Sequence, residues 1–169
     1  MNTDLRPIDK LRAALSDVEG RETGNGIRET GNGKRVTASE ARIRHHGTET
    51  YPDECCGALI EKDGRIVEAF PLPNTTAVGA RRRFRIGPSD YRLAEARARA
   101  VGGTLGGFYH SHPDHPARPS AHDLEQAWPN LIYIIVSVNS GVAHELTAWR
   151  LLEDRSAFEK VEPSWHTEF

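Results

Sequence analysis

The spacing of apolar residues changes several times along this chain, and each change marks an element. Ile8, Leu11, Leu15 and Val18 recur at helical spacing, which predicts a short amphipathic helix over residues 7–18. RETGNG then occurs twice, at 21–26 and 28–33. Its Gly and Asn content supplies nothing for a core, so the stretch reads as a flexible linker, too short for a repeat architecture. From Val36 the pattern becomes that of a compact domain. TASEARIRHHG predicts a helix capped by Thr37 or Ser39 and stopping near Gly47. CCGALIE and RIVEAFPL, joined by the turn KDG, predict a β-hairpin. NTTAVGARRRFRIGP reads as a loop leading into a short strand at FRI. Ser89 is then the expected cap of DYRLAEARARAV, whose apolar stripe is Leu93, Ala96 and Ala100. LGGFYHSH predicts a strand and HDLEQAW a short helix. LIYIIVSV is apolar on both faces, as a central strand is, and AHELTAWRLL follows across the SG turn at 140–141.

Helices and strands interleave, so the predicted fold is α/β (α+β), a mixed β-sheet flanked by helices. The expected division is a helix and linker over 1–35, the domain over 36–160, and a tail over 161–169. At 169 residues, 37% of them hydrophobic, the chain is long enough to bury one real core. A net charge of −2 and a pI near 6.4 give no general attraction to nucleic acid or anionic membrane. No apolar run approaches the ~20 residues that span a bilayer. The N-terminus lacks the continuous apolar core of a signal peptide, and the adjacent Cys55 and Cys56 offer no ordinary disulfide framework. A cytoplasmic location is therefore expected.

The candidate chemistry is crowded into YHSHPDHPARPSAHDLEQAW at 109–128, which holds four of the eight histidines. Side chains two apart on a strand share a face, so His110 and His112 aim together while Ser111 points away. The prolines of PDHPARP cannot continue a ladder and should turn the chain back toward the strand end. Ser120 opens a helix and Asp123 lies one turn in. Two histidines and one carboxylate make a three-ligand set, with a fourth tetrahedral position for water, as catalytic zinc requires. A structural reading competes, because Ser-x-x-Asp at a helix start is also a capping pattern. What capping does not predict is the joint spacing of His-x-His, seven residues, Ser, two residues, Asp.

That spacing resembles the signature of the JAMM (MPN+) zinc metallopeptidases, and YPDECCGALI resembles their upstream Glu before Cys-Gly. The resemblance covers residues 36–155 and implies a cytidine-deaminase-like sheet flanked by helices. It implies one zinc per chain on His110, His112 and Asp123, with water as fourth ligand. Glu54 would be the general base, in preference to Asp53, and Ser120 the oxyanion donor. The implied reaction is hydrolysis of the amide bond after the C-terminal Gly-Gly of a ubiquitin-like protein. YP-x-ECCG, RRRFRI-x-P-x-DY and HSHPDHPA-x-PS are similar to compact bacterial members acting on sulfur carriers of the ThiS and MoaD kind. The alternatives are a deubiquitinase-like enzyme on a bacterial ubiquitin-like conjugate and a non-catalytic MPN scaffold. No nucleic acid or membrane partner is expected, and a homo-oligomer is left open. In the family, the segment matching 80–86 clamps the substrate tail by strand addition, and Arg81, Arg82, Arg83 and Arg85 would steer an acidic partner. His115 is expected at the rim, His122 on another helix face, and His45 and His46 among helix-terminal carbonyls and solvent. Cys55 and Cys56 are expected to pack in a buried strand.

Overall fold

The computed structural model describes residues 36–76, 79–81 and 83–167. The expected helix at 7–18 and its linker lie outside them, as does Arg82. From Thr37 onward the chain is one compact unit. Helix α1, Ala38–Thr50, is capped by Thr37, whose hydroxyl accepts the Glu40 N–H at 3.2 Å. It buries Ser39, Ile43 and Gly47, a stripe of one residue every four. The helix runs through Gly47 rather than stopping there. A Cβ at Gly47 would come within 3.0 Å of Val138 Cγ2 and 3.3 Å of Ser111 Cβ. The glycine thus lets the helix lie close on the sheet and has no terminating role.

Strands β1, Cys56–Lys62, and β2, Arg65–Leu72, form the expected hairpin. Its turn residues Asp63 and Gly64 both have positive φ, 51° and 73°, as a tight hairpin turn requires. Helix α2 spans Pro88–Ala100. It begins one residue before Ser89, because Pro88 supplies a helical φ and Asp90 caps the end by accepting the Gly87 N–H at 2.9 Å. Strand β3, Thr104–Pro113, is followed by a loop, the short helix α3, Ala121–Gln126, and strand β4, Ile132–Asn139. Strand β5, Val142–Leu151, returns across Ser140 and Gly141, and β6, Phe158–Val161, extends the sheet beyond the strands expected from periodicity.

The sheet order is β2-β1-β3-β4-β5-β6, with β3 and β4 parallel and every other pair antiparallel. The fold is therefore a mixed six-stranded sheet flanked by helices. The parallel pair needs a crossover, and the loop with α3 supplies it. Helix α1 covers one face, over Cys55, Leu59, Tyr109, Ile134 and Val136. Helix α2 packs on β1, β2 and β3 across the other, with Tyr91 against Phe108. Near the C-terminus Trp165 bridges to Ile66 of β2, and the Ile66 backbone bonds Ser164 and His166. The short strand expected at FRI does not form. Side chains take backbone carbonyls along it instead: Thr75 Oγ1 donates to Arg85 O at 3.5 Å, and Asn74 Nδ2 to O of the preceding Arg83 at 3.0 Å.

Candidate metal centre

The strand register assembles the site. Cys56 pairs with His110 across β1 and β3, and the Ser111 N–H donates to Cys55 O at 3.2 Å. Continued one residue further, this antiparallel register sets Glu54 opposite His112. Opposed residues share a face, so Glu54, His110 and His112 lie on the α2 side of the sheet. Ser111 points the other way, where its hydroxyl accepts the Cys55 N–H at 2.9 Å. The turn after β3 then folds back, so that Pro116 O lies 2.9 Å from His112 Nδ1.

His110 and His112 bring their Nε2 atoms within 2.9 Å of each other. Asp123 offers Oδ1 at 3.3 Å from His110 Nε2 and Oδ2 at 3.5 Å from His112 Nε2. All three side chains are buried, and their ligating atoms lie within 4.8 Å of one another. The capping reading of Ser120 and Asp123 holds alongside this. Ser120 N–H and Oγ–H donate to Asp123 Oδ2 at 2.6 and 2.7 Å, and Ser120 Oγ accepts the Asp123 N–H at 3.2 Å. The cap therefore occupies Oδ2, which also lies beside His112, and leaves Oδ1 turned to His110. The donor set fits zinc: two imidazole nitrogens and one carboxylate oxygen converge. His112 in particular keeps its proton on Nδ1, against Pro116 O, and presents the Nε2 lone pair. Among the described residues, the buried His110 Nδ1 has no hydrogen-bond partner.

Electrostatics divide the carboxylates. Burial pushes Glu54 from its ordinary 4.5 up to about 8, the Asp123 charge adding to the rise and His112 opposing it. Asp123 moves the other way: burial would raise it, but both histidines and the Ser120 N–H hold it well below the usual range. Burial lowers His110 against the pull of Asp123. In His112 burial is outweighed by the bonds to Asp123 and Pro116 O and by the nearby acidic charges, and its pKa rises.

The remaining histidines stay outside the group of three, with His115 exposed on its loop. His46 departs from expectation. It is half-buried, its Nδ1 lies 2.8 Å from Tyr109 OH, and burial together with the His45 charge lowers its pKa to about 4. Its place on the inner side of α1 directs it to the sheet rather than to solvent. Cys55 and Cys56 are free and buried, and burial raises both thiols, Cys55 to about 12, which suits packing. Periodicity gave no signal for Asn74, whose Nδ2 donates to both Glu54 O and Arg83 O at 3.0 Å. Nor did it mark the cavity of about 330 Å³ beside His110 and Asp123, walled by Phe84, Tyr91, Phe108, Trp128, Tyr133 and Phe158. These aromatics come from six separate segments, so only the fold brings them together.

A JAMM-like mixed sheet with this ligand geometry defines a class, and comparison with known proteins agrees with it. Residues 37–152 match the family described as prokaryotic homologs of the JAB domain, and the chain belongs to that family. It is thereby a JAMM-type hydrolase. A desampylase of Haloferax volcanii is 35% identical over 57% of this chain and 71% of its own length. A CysO-cysteine peptidase of Mycobacterium tuberculosis is 28% identical over 69% of this chain and 80% of its own. A solution structure of a Salinibacter ruber protein is 41% identical over 75% of this chain and 86% of that one, with a TM-score of 0.58.

Proposed function

We propose that this protein is a zinc-dependent peptidase that hydrolyses the amide bond after the C-terminal Gly-Gly of a ubiquitin-like sulfur carrier. The observation that carries the reading is the convergence of His110, His112 and Asp123 on the face that also holds Glu54. Relatives named desampylase and CysO-cysteine peptidase support it. Zinc, held by His110 Nε2, His112 Nε2 and Asp123 Oδ1, would supply Lewis-acid chemistry that acidifies water and polarises the scissile carbonyl.

The chain's own residues do the rest. Glu54 takes the proton of the attacking water and returns it to the leaving amine, and a carboxyl displaced toward neutrality suits both transfers. Ser120 donates its hydroxyl to the oxyanion, for which its proton turns away from Asp123 Oδ2, its acceptor in the free protein. The substrate tail lies along residues 83–86 as an added strand. Arg83 O and Arg85 O are turned to Asn74 and Thr75, which leaves the backbone of Phe84 for it. Glycines suit such a site because main-chain bonds need no side chain, while the aromatic cavity puts apolar walls beside the ligands.

The test is a carrier extended beyond Gly-Gly by an amide-linked residue. The expected result is one zinc per chain and a released carrier whose mass ends at Gly-Gly. A protein that purifies and stays metal-free under zinc titration, or one indifferent to mutation of the Gly-Gly, overturns the proposal.

A further inference from the structure

The ligands of the proposed metal centre are not held alike. Pro116 O fixes the ring of His112, and the Ser120 cap fixes the carboxylate of Asp123. His110 has neither device, since its buried Nδ1 has no hydrogen-bond partner among the described residues. What touches its ring face is Phe84, stacked at 4.5 Å between centroids and 27° between planes. A metal-binding imidazole ordinarily gains its orientation from a hydrogen bond at the other nitrogen. Here a flat aromatic face stands in that place.

We propose that Phe84 is the positioning residue of His110, setting by stacking the ring plane that aims Nε2 at the metal. The proposal rests on the reading of His110 as a ligand. It also gives Asn74 a purpose. Phe84 lies in a segment without regular structure, so something must hold it still. Asn74 Nδ2 donates to Arg83 O and to Glu54 O, both at 3.0 Å, and the Glu54 N–H donates to Ala80 O at 2.8 Å. The segment carrying Phe84 is thus fastened to the backbone of the general base. Glu54, Phe84 and His110 form one connected frame, through which the proposed base and ligand keep their mutual geometry. Phe84 also borders the aromatic cavity, so the frame faces the place where substrate would arrive.

The experiment compares wild type, Phe84→Leu and Phe84→Tyr. Leucine keeps apolar bulk but has no flat face; tyrosine restores the face. Zinc affinity is measured by chelator competition on the metal-free proteins. Phe84→Leu should bind about tenfold or more weakly, in the range typical of lost support to a ligand, and Phe84→Tyr should return to wild type. Crystals of metal-free Phe84→Leu should show the His110 ring turned from the direction it holds in wild type. Asn74→Asp, which loses both donors but keeps Phe84, should weaken zinc in the same direction. Wild-type affinity and an unmoved His110 ring in Phe84→Leu would overturn the proposal, as would a lower melting temperature with unchanged affinity. Failure of the metal reading is distinguishable, because wild type itself then binds no zinc. The orientation of the His110 ring, read without metal, still decides whether Phe84 positions it.

Discussion

Asp123 joins a structural task to a proposed chemical one. Oδ2 closes the N-terminus of α3, and Oδ1 faces His110. Asp123→Ala removes both, whereas His110→Ala removes only a ligand. Both variants should lose stoichiometric zinc by metal analysis, since two remaining protein ligands do not hold the site. Asp123→Ala should in addition lose about 1 kcal/mol of stability from the broken cap. Full zinc occupancy in either would end the assignment. Glu54 makes the opposite case, a single group with one proposed task. Glu54→Gln keeps the shape and the zinc but cannot move a proton, so turnover should fall roughly a hundredfold or more. The same variant has a pH signature in the metal-free protein. The folded pKa of about 8 lies above the ordinary 4.5, so the folded state holds the proton longer than the unfolded chain does. Wild type therefore loses stability as pH rises from 4.5 to 8, and glutamine, which does not titrate, escapes that loss. Denaturation midpoints of the two proteins should agree near pH 4 and diverge in favour of Glu54→Gln by pH 8. Parallel curves would show that Glu54 is not displaced upward.

Elements were legible in proportion to how locally they are determined. The hairpin turn, strands β3 and β4 and helix α3 follow from local apolar runs and from the chemistry of Asp63, Gly64 and Ser120, all readable within a few residues. The convergence of His110, His112 and Asp123 was legible for the same reason: His-x-His needs only a strand, and Ser-x-x-Asp only a helix start. What escaped depends on distant contacts. Gly47 reads as a stop signal and is in fact a close-contact surface, because the sequence does not say that Val138 and Ser111 lie beneath it. FRI has strand composition, yet Thr75 takes the carbonyl of Arg85 and Asn74 that of Arg83 just before it. Gly57 is a further case. It pairs with Tyr109, and a Cβ there would lie 2.2 Å from Tyr109 Cε1. The Tyr109 ring crosses this glycine to reach His46 on α1. Gly57→Ala should cost about 3 kcal/mol in urea unfolding, at the upper end for overpacking a buried site. In a Tyr109→Leu background the same change should cost clearly less. Equal costs in the two backgrounds would show that the ring is not what excludes the methyl group.

Across the whole molecule, a net charge of −2 conceals an uneven distribution. Arg81, Arg83 and Arg85 are exposed along the segment proposed to hold the substrate tail, and exposed Arg92 joins Arg85 around the aromatic cavity. A general electrostatic attraction to anionic partners is therefore absent, while a local one sits at the mouth of the site. Exposed charges of this kind act mainly on encounter, and salt screens them over about 8 Å at physiological ionic strength. The chemical step proposed at the buried His110, His112 and Asp123 would be shielded from that screening. The two should separate kinetically. With an acidic carrier as substrate, raising salt from low to physiological levels should lower kcat/KM severalfold and leave single-turnover cleavage of saturated enzyme unchanged. Arg83→Glu combined with Arg85→Glu should reproduce the high-salt value at low salt and flatten the salt dependence. Loss of single-turnover rate in that double variant would mean that the arginines act on the tail's alignment at the site and not on its capture. A salt dependence that survives the charge reversal would place the steering elsewhere on the surface.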